Sequence, residues 1–376
     1  MTPPGEQAHT APRRAVTKGV APRRTVTLGV ALRRMVLPAD ALSRAVPLGI
    51  VLALVLLAML SLTVGSAPVS WREAAAALAG PWAGVFGAPA GDMAQAIVRD
   101  LRLPRVVLAL LVGATLAVVG GLLQSTTRND LADPFLFGLS SGASTGAVAV
   151  LTLTGEWLGA WTLPAATFAG AAVASGAVLL LVRRAGGQGP AQTVLAGLAV
   201  SFLFGALTHG LVFAGDQRAA HAVVFWSLGG LGLARWDNLW LACLGLGLCM
   251  GFVWRRHRSL DALLAGDDTA HSLGIAPERL RTQAFLVAAV ATACCVALAG
   301  VIGFVGLMVP HLARRLSGPL HAAFLPLAAG LGAGLLLASD LVARTLLGSQ
   351  ELPVGIVTAG IGALFVMALL RRRATD

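Results

Sequence analysis

The residues that could do chemistry in this sequence are few, and their spacing excludes more than it permits. No GxxxxGK[ST] loop occurs, and the one lysine, Lys18, has no such loop before it. The chain therefore lacks the glycine cradle that holds nucleotide phosphates. No carboxylate stands midway along the long apolar runs; Asp340 comes nearest, close to the end of one. Ion-coupled carriers need ionisable groups at depth, which argues against a secondary transporter. His209 is the one deep titratable group, readable either as facing a pathway or as a hydrogen-bonded packing residue. Cys243, Cys249, Cys294 and Cys295 lie in apolar runs without metal-ligand spacing, and read as small packing residues. No Ser/His/Asp set or carboxylate pair occurs, so no catalytic residue, bound metal or cofactor is expected.

The remaining polar candidates stand where apolar runs end. Arg102, Arg105 and Arg344 each flank a run, and a guanidinium in such a place can take a carboxylate bidentately and keep its charge. Headgroup contact or a local helix-end partner is the alternative. The segment 258–274 carries Leu260, Leu263, Leu264 and Leu273 around Gly266, Asp267 and Gly274. It reads as two short amphipathic helices broken at Gly266, too apolar for an ordinary exposed loop.

The elements that must position these groups are membrane helices. The 376 residues are 57% hydrophobic and 12% charged, against about 25% charge in a soluble domain. The expected fold is an all-α integral membrane protein of about ten spans, each needing roughly 20 apolar residues. They fall near 45–64, 104–124, 139–153, 161–182, 191–213, 236–254, 282–300, 302–314, 322–341 and 353–370, with a short outer helix near 220–229. Several are short or broken by Gly and Pro, which is tolerated only inside protein or beside a cavity. Spans two to five and seven to ten form an expected inverted repeat.

Residues 1–44 form a basic tail with an imperfect repeat, Ala11-Pro12-Arg13-Arg14, Ala21-Pro22-Arg23-Arg24 and Ala31-Leu32-Arg33-Arg34. It is expected to be disordered, leaving 45–376 as the transmembrane domain. The apolar run after Arg44 is too long for a signal peptide's. The net charge of +11 would suggest nucleic acid in a soluble protein. Here the arginines cluster between apolar runs, at Arg183-Arg184, Arg255-Arg256-His257-Arg258, Arg314-Arg315 and Arg371-Arg372-Arg373. That reads as topology, with both termini cytoplasmic and membrane lipid rather than nucleic acid as the partner.

Two long motifs carry a family resemblance. One runs from Arg102-Leu103-Pro104-Arg105 through Gly120-Gly121-Leu122-Leu123-Gln124 and Leu131-Ala132-Asp133-Pro134 to Gly138-Leu139-Ser140-Ser141-Gly142. The other runs from Gly300-Val301-Ile302-Gly303-Phe304-Val305-Gly306-Leu307-Met308-Val309-Pro310-His311 through Asp340 to Glu351-Leu352-Pro353-Val354-Gly355. Both resemble the FecCD-type permeases of iron–siderophore, haem and vitamin B12 ABC importers, over roughly 45–373. Two departures are visible: Asn129-Asp130 stands where relatives often have Asn-Pro, and the gate loop before span five is Gly-rich, Gly186-Gly187-Gln188-Gly189.

The resemblance implies a permease in the cytoplasmic (inner) membrane, ten helices per subunit. A second permease subunit, identical or homologous, would complete the pathway. Two ABC ATPase subunits would dock inside, and an extracytoplasmic substrate-binding protein outside. It implies that Arg102, Arg105 and Arg344 meet glutamates of the binding protein. It implies that the segment with Leu260, Leu263, Leu264, Gly266, Asp267, Leu273 and Gly274 couples to the ATPase. It implies that spans five and ten line the pathway, with Ser201, Thr208, His209 and Thr358 as polar lining. A ferric siderophore is the expected cargo, with haem or cobalamin as alternatives.

Overall fold

The computed structural model describes residues 39–65, 67–79, 91–155, 157–184, 190–215, 217–348 and 350–373. Most of the basic tail and the gate loop at 186–189 lie outside them.

Among the described residues every regular element is a helix. α1 is Ala39–Thr63 and α2 the short Trp71–Ala79. α3 is continuous over Asp92–Thr127, with a π-helical turn at Ile97–Arg102. α4, Leu139–Ala149, ends in a π turn at Val150–Thr154. α5 (Thr162–Arg184), α6 (Pro190–Ala214), the short α7 (Gln217–Ser227) and α8 (Leu239–Leu264) follow. After the small α9 (Asp267–Ser272) come α10 (Pro277–Ala299), α11 (Val305–Ser317), α12 (His321–Thr345) and α13 (Val354–Arg373). Among the described residues, eight helices are long and apolar enough to cross a membrane, and Leu139–Leu153 is a shorter apolar helix.

Small residues let these helices meet backbone to backbone, the expected glue where lipid offers no hydrophobic drive. A Cβ on Gly113 would fall 2.3 Å from the Gly332 carbonyl oxygen, and one on Gly120 would fall 1.9 Å from that of Gly306. α3 is thereby clamped between α12 and α11 and is largely buried, whereas α1, α6 and α13 expose most of their apolar surface.

The packing follows the two blocks read from the sequence. α3 packs on α12 as α10 packs on α5; α4 packs on α5 and α6 as α11 packs on α12 and α13. α3 runs opposite to its counterpart α10, since Arg281 near the N-terminus of α10 donates to the Thr126 carbonyl at the C-terminus of α3 at 3.0 Å. The N-terminus of α3 meets the C-terminus of α12 through Arg105 and Asp340, and the C-terminus of α8 meets the N-terminus of α12 through Asp261 and His321.

One sequence expectation needs correction. Residues 258–264 are not a separate short helix but the last two turns of α8. The buried stripe Cys249, Val253, Leu260 and Leu263 keeps helical spacing past the membrane run, so the helix continues.

Candidate functional site

The chemistry-bearing side chains gather at the two ends of the bundle. At one end, the N-terminus of α3 and the C-terminus of α12 bring three arginines together. Arg105 Nε pairs with Asp340 Oδ1 at 2.9 Å, and its Nη1 with Glu351 Oε2 at 2.8 Å. Arg344 Nε lies 3.0 Å from Asp340 Oδ2, so one fully buried carboxylate serves two guanidiniums. Burying that carboxylate is tolerable only because it is paired.

Arg102 and Arg344 point inward. Both are only 7% exposed. Arg102 donates to the carbonyls of Leu62 at 2.6 Å and Thr63 at 3.0 Å, and to that of Ala67. Arg344 donates to the Val64 carbonyl at 3.2 Å and to Ser61. The two side chains satisfy orphan carbonyls at the C-terminus of α1 and in the loop after it, which is the helix-end alternative. Arg105 is half-buried, and Glu351, 53% exposed, is the acid at the rim. These groups line a cavity of about 270 Å³ with Ile97, Leu101 and Leu231.

At the other end, Asp267 opens α9 after Gly266, whose φ of 126° suits only glycine. Arg281 of α10 holds its carboxylate in a fork, at 2.7 and 3.0 Å. Arg128, in the left-handed conformation that ends α3, reaches the same carboxylate and the Leu263 carbonyl at 3.1 Å. The hydrogen bonds from Arg281 hold the Asp267 carboxyl below the usual carboxylate range, aided by the charge of Arg128. The termini of α3, α8, α9 and α10 are thus tied at one carboxylate. Beside them, Arg314 donates to Gln124 Oε1 at 2.8 Å and lies over the Phe324 ring, 4.8 Å from its centroid.

The apolar residues expected on a coupling loop divide. Leu260 and Leu263 are fully buried in this chain's own core, so they are not available to a partner. The helical stripe that lengthens α8 turns them inward. Leu264 and Leu273 are exposed, and Gly274, at φ 74°, turns the chain towards α10.

The expected pathway residues divide likewise. Thr358 is 1% exposed, and its hydroxyl donates to the Gly355 carbonyl. It faces the α10–α11 turn, so it lines no open surface. Ser201 donates to the Gly197 carbonyl at 2.9 Å, and Thr208 shares a 2.8 Å hydrogen bond with Thr145 of α4. Both are packing contacts of α6. His209 is exposed, next to the apolar face that presents Phe202, Leu203 and Phe213.

Sequence reading missed a further buried acid. Asp133 caps the 3-10 turn Pro134–Phe137 by accepting from the Phe135 amide at 2.9 Å. Burial pushes its carboxyl up to about 6. The Asp-Pro dipeptide before a short helical turn is the signal that could have found it. Among the described residues, no three His, Cys, Asp or Glu side chains cluster closely enough to hold a metal.

Comparison with known proteins gives this architecture a family. The model of the FecCD transport family matches residues 53–372. The chain is 40% identical over 329 residues to the cobalamin import system permease protein BtuC of Halobacterium salinarum, covering 88% of this chain and 86% of that protein. It is 38% identical over 329 residues to the Fe(3+) dicitrate transport system permease protein FecD of Escherichia coli, covering 86% and 98%. It is 36% identical over 330 residues to the hemin transport system permease protein HmuU of Yersinia pestis, covering 86% and 95%. A solved inward-facing structure, described as a metal-chelate type ABC transporter, superposes with a TM-score of 0.75 at 30% identity, covering 86% of this chain and 98% of that one. With its apolar spans, paired end networks and two-block packing, the chain belongs to the FecCD transport family and is a multi-pass permease of an ABC importer.

Proposed function

We propose that this permease carries a ferric siderophore across the cytoplasmic membrane. The observation that carries the reading is the shared cargo chemistry of relatives matched over nearly their whole length. Cobalamin, hemin and ferric dicitrate are each a metal enclosed by an organic chelator, and iron is the metal in two of the three. The exposed face of α6 fits such a cargo. Phe202, Leu203 and Phe213 with His209 offer apolar contact and one polar group, a wall that binds a bulky chelate weakly and releases it.

The two end networks take complementary parts in this reading. The end bearing Arg105 and Glu351 faces outward and receives a substrate-binding protein, with Arg102 and Arg344 bracing the platform behind it. The end bearing α9 faces the cytoplasm, where Leu264 and Leu273 meet an ATPase subunit. A second permease subunit completes the pathway, and two ATPase subunits supply the energy on separate chains. The clusters Arg183-Arg184 and Arg255-Arg256 flank this same end, which supports placing it inside.

The test is uptake in cells lacking the gene, using labelled ferric siderophore, labelled haem and labelled cobalamin. Loss of the siderophore alone is the expected result. Loss of free ferric ion uptake with all chelates still entering would overturn the reading.

A further inference from the structure

Among the described residues, the non-glycine residues with positive φ are Arg128 and Phe304. Arg128 ends a helix, where the left-handed conformation is ordinary. Phe304 begins one, at φ 67° and ψ −21°, where the cap is normally extended. An aromatic residue held there is a genuine outlier, and such strain persists only where the surroundings over-determine it.

The surroundings are α13. A Cβ on Gly362 would fall 2.3 Å from the Phe304 ring carbon Cγ, so the ring lies in a notch that only glycine leaves open. Seven residues earlier on the same face of α13, a Cβ on Gly355 would lie 2.0 Å from the Leu228 carbonyl and 3.2 Å from that of Val301. α13 therefore leans on the segment 301–304 at two glycine notches two turns apart, with Thr358 buried between them.

The other block repeats this arrangement with the bulk exchanged. Gly138 has φ 76° and ψ −2° and likewise precedes a helix, α4. Its carbonyl accepts from the Gly142 amide at 3.1 Å, as that of Phe304 accepts from the Met308 amide at 2.9 Å. A Cβ on Gly138 would meet Val200 Cγ1 of α6 at 3.0 Å. The contact falls about three turns into α6, and Gly362 falls about two turns into α13. In one block the glycine is on the turn and the side chain on the long helix; in the other the positions are reversed.

We propose that Phe304 is the positioning residue through which the α10–α11 turn holds α13 during transport, and that Gly138 with Val200 is the matching bearing for α6. A Gly at 304 would have formed the turn without strain. The ring fills the Gly362 notch in spite of that strain, which points to a role for the ring. The proposal rests on the importer reading and not on its cargo.

The experiment exchanges the bulk. Phe304→Gly relieves the backbone and empties the notch, Gly362→Val drives a side chain into the ring, and the double variant rebuilds in the second block the arrangement of the first. Uptake of ferric siderophore, haem and cobalamin is measured in cells lacking the native gene. ATP hydrolysis is measured for the complete complex in nanodiscs. Each single variant is expected to lower uptake about tenfold, with Phe304→Gly still reaching the membrane at wild-type level. The double variant is expected to return most of the uptake. Wild-type uptake and hydrolysis in Phe304→Gly would overturn the proposal, as would a double variant no better than the worse single one. Should Phe304→Gly fail to accumulate, the double variant decides: restored level with restored uptake supports the pairing, and restored level without uptake refutes it. A wild type that imports none of the three chelates counts against the cargo reading alone. The hydrolysis rates then still decide, since rates in both single variants equal to wild type would overturn the proposal.

Discussion

Replacing Asp340 by Asn keeps the shape of the side chain and removes the one charge that two guanidiniums share. Asp340 is fully buried, with Arg105 Nε at 2.9 Å and Arg344 Nε at 3.0 Å. Breaking a buried ion pair from one side costs about 3–5 kcal/mol, because the partner charge is left behind. Two compensations lower that figure here. Arg344 keeps its hydrogen bonds to Ser61 and the Val64 carbonyl, and Arg105 keeps Glu351. The expected loss is therefore about 2–3 kcal/mol. Glu351 is 53% exposed, so Glu351→Gln alone should cost no more than about 1 kcal/mol. Without Asp340, however, Glu351 is the remaining counter-charge of Arg105. The double variant should therefore lose about 1 kcal/mol more than the two singles added together. The assay is equilibrium unfolding of the purified protein in mixed micelles, run as a double-mutant cycle. Additivity within about 0.3 kcal/mol would refute the shared network, as would an Asp340→Asn variant as stable as wild type.

The other predictions concern the opposite end and the centre of the bundle. Asp267 has a depressed carboxyl pKa, so its contribution to stability is present above the ordinary carboxylate range and lost as pH falls through it; the melting temperatures of wild type and Asp267→Asn should converge below about pH 4. Asp133 carries the opposite sign. Its carboxyl is raised to about 6, so its ionisation weakens the fold as pH rises from about 4 to about 6, and Asp133→Asn should melt higher than wild type at neutral pH and equally at acid pH. Leu273→Asp, at a 65% exposed position, should leave the fold intact and reduce co-purification of the ATPase subunit, whereas Leu263→Asp, fully buried, should abolish folded protein in the membrane. Gly120→Ala puts a methyl 1.9 Å from the Gly306 carbonyl and should cost about 3 kcal/mol or more, read as loss of folded protein.

The spans were legible because the signal for each is local. An apolar run of sufficient length reports a crossing whatever it packs against, and every run read from the sequence has its helix. The repeat was legible for the same reason, since it shows in the order of long and short runs. The direction of the end-flanking arginines was not. Arg105 and Asp340 are 235 residues apart in the chain, and Arg344 reaches a carbonyl 280 residues away. Nothing in the immediate neighbourhood of Arg102 says whether its guanidinium turns to solvent or to the open carbonyls at the end of α1. The same holds for Leu260 and Leu263, whose apolar character suits a partner surface and a helical core stripe equally well.

What the sequence leaves open is therefore decided by which helices are held and which are free. α3, α11 and α12 meet at glycines with no room for a methyl group, and carboxylate networks tie their termini to neighbours at both ends. Such contacts do not slide; they hold or they break. α6 and α13 instead turn most of their surface outward, with α6 packed on α4 and α5 and α13 on α11 and α12 along one side only. In a protein whose work is to change access from one side of a membrane to the other, displacement costs least where the fewest buried contacts must be remade. The polar residues that distinguish these two helices in sequence, Ser201, Thr208 and Thr358, are spent on internal hydrogen bonds. On the pathway reading proposed above, these two helices are described better by their glycine notches and exposed apolar faces than by their hydroxyls.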